Sequence, residues 1–289
     1  MAKNKKKTTI AVTGATGHQG GAVLHHLRER GFAVRALIRN PEKPEARGLI
    51  GPGVEVLRAD LKDEASLVSA LDGAEGIYSV QSRAEGVEEE IRQGINVANA
   101  AKRSRINHLV YSSVGSADQK TGIPHFDSKF RIEEHIRGTG LRYTILRPVF
   151  FMENLLGLRE QVEQGVLSFP LAPDTRLQMI AVDDIGGVAA MAFERPGHWQ
   201  GRAIELAGDE RSMTELAADL GRMAGREVRY EQVPWDQFEK KIGPEETIMF
   251  RWFQETGYHA DISALRQEYP NLTSFEKWLH SKWTRVLTA

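Results

Sequence analysis

The sequence predicts an α/β fold: a doubly wound parallel sheet followed by a smaller C-terminal α+β lobe. Three observations predict it. Short β-rich runs alternate with longer helically spaced segments from Thr8 to Pro148, as they do when parallel strands are joined by crossover helices. Several of those runs, Ile10-Ala11-Val12 among them, are continuously apolar, as strands buried on both faces are. A glycine-rich turn stands directly between the first such run and the first helical stripe.

The elements follow in order. The strands are TTIAVTG at 8–14, AVRALI at 33–38, VEVLRA at 54–59, EGIYSVQ at 75–81, HLVYSSV at 108–114 and RYTILRP at 142–148. Between them, helical spacing links Val23, Leu24 and Leu27, then Leu67, Ala70 and Leu71, then Ile91, Ile95 and Ala98. Right-handed crossovers in such a sheet put a ligand crevice at the carboxyl ends of the strands, near the topological switch. After Pro148 the alternation loosens into a helix over 152–164, a proline-containing loop, a strand over 177–182 and a helix from near Asp183. Ser212-Met213-Thr214-Glu215 matches a capping box, and Leu216, Leu220 and Met223 form the stripe of the helix it starts. The expected division is a basic tail at 1–7, a dinucleotide-binding Rossmann domain at 8–150, and a mixed part at 151–289 that completes the sheet and forms a smaller substrate or partner lobe.

Composition narrows the function. A chain of 289 residues with 41% hydrophobic and 27% charged residues reads as folded and water-soluble. A formal charge of −1 gives no chain-wide attraction to nucleic acid, and no segment approaches the ~20 apolar residues of a membrane span. Neither a nucleic-acid nor a membrane partner is expected. The absence of cysteine removes thiol nucleophiles and thiolate metal sites, so redox chemistry has to come from a cofactor. The start of the chain lacks the apolar stretch of a signal peptide, which makes the cytoplasm the expected location. Lys3, Lys5, Lys6 and Lys7 read as a solubilising terminus without assigned function.

The chemistry-bearing motif is Gly14-Ala15-Thr16-Gly17-His18-Gln19-Gly20. Glycine permits a tight turn and close approach of backbone N–H groups to a pyrophosphate, while the following helix aims its positive end at that anion. The spacing is GxxGxxG rather than GxGxxG, so its place between strand and helix carries more weight than the glycines. At the end of the second strand, where an NAD-selective domain carries an acid for the ribose hydroxyls, stands Arg39. Its guanidinium suits a 2′-phosphate, and Lys43 adds a second positive charge from the same loop. NADP(H) is therefore the expected cofactor. No metal site is expected: His25 and His26 point about 100° apart on a helix and lack companion ligands. Asp183 and Asp184 read as helix-start acids, and Trp252, Phe253 and Tyr258 as packing aromatics.

GATGHQG, IRNPEK, YSSVGS, HFDSK and FFMENLL together resemble the NmrA-like branch of atypical short-chain dehydrogenases over nearly the whole chain. The resemblance implies an NADP-binding Rossmann domain and members that act as redox-state sensors or co-regulators beside related reductases. It further implies that Asp60 and Leu61 flank the adenine and that Ser79, Val80 and Gln81 line the cofactor groove, with Arg92 a secondary candidate for cofactor binding. By the same resemblance Lys129 binds the nicotinamide ribose, and the stretch from Phe151 to Asn154 closes over the nicotinamide. In an ordinary short-chain dehydrogenase a tyrosine stands four residues before that lysine, on the same helix face; here His125 stands there. With an unperturbed pKa near ~6.5, histidine can supply a proton, which makes His125 and Lys129 the candidate catalytic pair.

The leading expectation is an NADP(H)-binding redox sensor or regulator that answers to a protein partner. The alternative is an NADPH-dependent reductase of a quinone, dye-like or other conjugated electrophile. The sequence leaves open which of these holds, and it leaves the oligomeric state open as well.

Overall fold

The computed structural model describes residues 7–283, so Lys3, Lys5 and Lys6 of the basic tail lie outside the described residues. The elements run β1 (Thr9–Thr13), α1 (His18–Glu29), β2 (Ala33–Ile38), α2 (Pro44–Arg47), β3 (Val54–Arg58), α3 (Glu64–Leu71), β4 (Gly76–Ser79), α4 (Val87–Arg103), β5 (His108–Ser112), α5 (Pro124–Gly138) and β6 (Tyr143–Pro148). They continue through β7 (Phe150–Phe151), α6 (Arg159–Glu163), β8 (Val166–Phe169), β9 (Arg176–Ile180), α7 (Val182–Glu194), α8 (Pro196–Trp199), β10 (Ala203–Leu206), β11 (Asp209–Ser212), α9 (Met213–Ala224) and β12 (Arg229–Gln232). Among the described residues four α-helices follow, α10 (Trp235–Ile242), α11 (Pro244–Glu255), α12 (Ile262–Glu268) and α13 (Phe275–Trp278), the last running on into a π-helical turn, Leu279–Trp283.

Contacts divide the chain into two units. The first holds the chain up to Asp118 together with His125–Arg147 and Ile185–Ile204. Its sheet has seven strands in the order β10-β6-β5-β4-β1-β2-β3. The pairings of β1 with β2 and β4, of β2 with β3, of β4 with β5 and of β5 with β6 are all parallel. The order reverses between β1 and β4, which makes their carboxyl ends the topological switch. Thr13 fastens the two ends there: its hydroxyl donates to the Val80 carbonyl at 2.9 Å and accepts from the Val80 N–H at 2.8 Å.

Alternation along the strands explains the layers. One face packs Ala11, Ile77, Leu109 and Tyr111 against Leu67 and Leu71 of α3, Val97 and Ala101 of α4, and Ile132 and Ile136 of α5. Across the sheet, α1 meets α7 where Gly186 abuts the backbone of Ala22; a Cβ at Gly186 would sit 2.6 Å from the Ala22 carbonyl carbon. The strand expected at 33–38 appears with those bounds, and the other five of the first half are shorter than expected by one or two residues at one or both ends, where pairing stops as the chain turns into a loop.

The second unit comprises Gln119–Pro124, Pro148–Asp184 and the chain from Glu205 onward. It contains a three-stranded sheet, β11-β9-β7, and the parallel pair β12-β8. Its core is aromatic: Phe250 lies 4.9 Å from Phe238 and 5.3 Å from Phe253, and Phe253 lies 5.3 Å from Tyr258, between ring centroids. Trp252, 5.1 Å from Tyr258, completes the packing role expected of these rings. The capping box forms as expected, Ser212 accepting from the Glu215 N–H at 3.1 Å while Glu215 accepts from the Ser212 N–H at 2.8 Å. The helix expected over 152–164 is instead a 3₁₀ segment, Met152–Leu158, followed by the short α6. Gly157 is a poor helix former, and Glu153 holds the segment by accepting from the Val182 N–H and the Trp278 indole, both at 3.0 Å.

Candidate functional site

In the first unit the loops that leave β1, β2, β3 and β4 enclose a cavity of about 480 Å³. Gly14 and Thr16 line it from the first loop, Arg39 and Lys43 from the second, Asp60 and Leu61 from the third, and Val80, Ser82 and Glu85 from the fourth. Leu37 and Ala59, both buried, form part of an apolar wall.

The glycine turn is shaped by what side chains would strike. Gly14 adopts φ +59°, a left-handed conformation, and a Cβ there would meet Val80 at 2.9 Å. Gly17 N–H donates to the Gly14 carbonyl at 2.9 Å, closing the turn. A Cβ on Gly20 would lie 2.2 Å from the Gly14 carbonyl oxygen, so only glycine lets α1 begin this close beneath the turn. Among the described residues no side chain caps the start of α1 and no acid occupies its first turn, so its first N–H groups and positive dipole end face the cradle. His18 is exposed at that start. Gln19 does something the sequence did not disclose: its side-chain oxygen accepts from the Tyr78 hydroxyl at 3.2 Å and the Ser112 hydroxyl at 2.6 Å, pinning α1 to β4 and β5. Burial pushes the Tyr78 phenol well up, so it serves as a donor.

The second loop is set by an Asx turn, Asn40 accepting from the Glu42 N–H at 3.1 Å, which brings Lys43 to the cavity. Asp60 is likewise held locally, its carboxylate accepting from the Lys62 N–H at 2.9 Å. The electrostatic feature of the site is Glu85: its carboxylate takes Arg39 at 3.0 Å on one oxygen and Lys62 on the other. Lys62 and then Arg39 hold the Glu85 carboxyl below the usual carboxylate range. Ser79 is buried and accepts from the Gln81 side-chain amide at 2.9 Å. Arg92 is not among the residues lining the cavity; it sits exposed on α4 in an ion pair with Glu89.

A second cluster lies on α5. Lys129 donates to Glu90 of α4 at 2.8 Å, and Ser128 donates to the other Glu90 oxygen at 2.6 Å. Glu90 is 1% exposed, so this pairing satisfies a buried carboxylate. His125, on the same face of α5 one turn earlier and buried, has Nδ1 3.3 Å from an Arg83 guanidinium nitrogen. Phe151 and Asn154 belong to the second unit, where Phe151 pairs in register with Ile180 and Asn154 is exposed on the 3₁₀ segment.

Sequence reasoning passed over Glu85, Glu90, Arg83 and Ser113. Glu90 left a signal, because it falls on the buried stripe continued by Gly94, Val97, Ala98 and Ala101, where an acid requires a cation or donor. Ser113 and Gln81 stand two residues past the register partners Tyr111 and Ser79, at the carboxyl ends of adjacent strands. Both are buried, and among the described residues Ser113 Oγ and Gln81 Oε1 have no hydrogen-bond partner. The glycine cradle, the Arg39 and Lys43 cations and these two orphaned polar atoms fit a dinucleotide, whose phosphates, ribose hydroxyls and amide supply the complementary groups.

The chain is similar to known proteins over most of its length. The sequence profile of the NmrA-like family matches residues 6–279. Quinone oxidoreductase 2 of Escherichia coli (strain K12) is 33% identical over 227 residues, covering 78% of this chain and 77% of that protein. The structure of the NADPH-dependent quinone oxidoreductase of Escherichia coli complexed with NADPH matches with a TM-score of 0.83 at 29% identity, covering 95% of this chain and 100% of that one. Citrobacter sp. triphenylmethane reductase complexed with NADP(H) matches with a TM-score of 0.84 at 25% identity, covering 94% and 99%. The negative transcriptional regulator NmrA in complex with NAD has a TM-score of 0.81 at 23% identity, covering 95% and 94%, a likeness of fold. With nearly the whole chain matched by one profile, the protein belongs to the NmrA-like family.

Proposed function

We propose that this protein binds NADP(H) at the carboxyl ends of β1 to β4 and reduces quinone- or dye-like conjugated electrophiles. The observation that carries the cofactor reading is the meeting of Arg39 and Lys43 with the glycine turn around one cavity. The N–H groups at the start of α1 take the pyrophosphate, Arg39 and Lys43 take the 2′-phosphate, and Leu37, Ala59 and Leu61 take the adenine face. Lys129, held by Glu90, takes the nicotinamide ribose in this reading, and the unpartnered Gln81 and Ser113 oxygens at adjacent strand ends are further polar atoms available to the cofactor. When bound, NADPH supplies a hydride.

The α5 cluster supports this acceptor class. A conjugated acceptor takes hydride directly and draws its proton from water, so it needs no phenol at the position His125 occupies. The protein then orients acceptor and cofactor and excludes water. The relatives that reduce quinones and dyes support this reading. Cofactor sensing is the second reading, favoured by the engagement of Lys129 with a buried carboxylate in place of a lysine–tyrosine pair.

The test is NADPH oxidation, followed by nicotinamide absorbance, across quinones, conjugated dyes and aldehydes, with cofactor binding measured calorimetrically on the same preparation. Saturable turnover with quinones or dyes, lost in Lys129→Ala, is the expected result. Tight NADPH binding without turnover of any acceptor would favour the sensing reading and a regulatory protein partner.

A further inference from the structure

Among the described residues Glu85 is the one carboxylate at the cavity whose two oxygens are both taken by cations, Arg39 from the loop after β2 and Lys62 from the loop after β3. It sits on a three-residue turn, Arg83–Glu85, which begins with Ser82 accepting from the Ala84 N–H at 3.2 Å and ends at Gly86 with φ +97°. The turn is short and solvent-facing, so Glu85 can leave without unpacking the core. Arg39, Lys62 and Glu85 are 66%, 39% and 39% exposed, and ion pairs that open to water are weakly held.

Resting on the reading of the cavity as the NADP(H) site, we propose that Glu85 sets the choice between phosphorylated and unphosphorylated dinucleotide by competing with the 2′-phosphate for Arg39. A carboxylate bridging Arg39 and Lys62 occupies the position in which a phosphate dianion makes its charge-assisted bonds. Two anions at that position repel, so the 2′-phosphate arrives as Glu85 departs. A dinucleotide with a free 2′-hydroxyl leaves Glu85 where it is. The two bound forms therefore differ in the 82–86 segment, and that segment also carries Arg83, which reaches His125 on α5. The exchange gives the protein a local structural difference between the two cofactor classes.

Calorimetric titration of NADPH and NADH into the wild type, Glu85→Gln and Arg39→Ala tests the proposal, with hydrogen exchange followed at residues 82–86. Glu85→Gln is expected to tighten NADPH about three- to fivefold and leave NADH unchanged, and NADPH alone is expected to raise exchange at 82–86 in the wild type. Weaker NADPH binding in Glu85→Gln, or an equal change for both dinucleotides, would overturn it and make Glu85 a group that orients Arg39. Unchanged NADPH affinity in Arg39→Ala would overturn the reading of the cavity itself, and the proposal with it.

Discussion

At the scale of single residues the site depends on positions with almost no tolerance. Gly20 meets the Gly14 carbonyl so closely that Gly20→Ala must push α1 away from its turn. The expected cost is about 1–3 kcal/mol in urea unfolding, together with weaker NADPH binding. His125 is expected to be dispensable: His125→Phe keeps NADPH affinity and quinone turnover in steady-state assays. A loss of about 100-fold in kcat with unchanged affinity would instead identify it as a proton donor. Gly14, Thr16, Arg39 and Lys43 were legible in the sequence because each is fixed by its distance from a strand end. Glu85 and Glu90 were not, because their meaning comes from partners 46 and 39 residues away. Gln19 was legible only as part of the glycine motif, since the hydroxyls its side chain accepts from lie on strands 59 and 93 residues distant.

At the scale of elements, α7 carries a titration within its own first turn. Asp184 is 2% exposed, and burial raises its carboxyl to about 6, against the lowering by two hydrogen bonds from Thr273. Its folded pKa lies above its unfolded value, so the folded state binds the extra proton. The stabilisation is full below about pH 4 and is lost as pH rises through about 6. Asp184→Asn is expected to remove from the stability-versus-pH curve a fall of about 3 kcal/mol over that window, read by denaturant unfolding at successive pH values. A curve of unchanged shape would contradict the assignment. The acid was expected at a helix start, and it is there; its tie to Thr273, 89 residues on, was beyond local pattern. The same limit hid the small sheets of the second unit. Two- to four-residue strands such as Phe150–Phe151 and Arg229–Gln232 have too little periodicity to read, and β12 pairs with β8 across about sixty residues.

At the scale of the molecule, the long parallel strands of the first unit were legible because burial on both faces writes continuous apolar runs, and the strand order then places the switch point between β1 and β4. A ligand bound only by the folded chain stabilises it by mass action. NADPH at a hundred times its Kd is expected to add about 2.7 kcal/mol to unfolding stability, measurable as a rise in Tm. An unchanged Tm at saturating NADPH would contradict a folded-state site.

The most direct test of the central claim is the ratio of NADPH to NADH affinity, measured by calorimetry in the wild type and in Arg39→Ala. The account predicts at least about tenfold preference for NADPH, the scale of a charge-assisted phosphate contact, and a marked fall in that preference in the variant, where Lys43 alone remains of the two cations assigned to the phosphate. Equal affinities in the wild type, or a preference undiminished by the loss of Arg39, would contradict it.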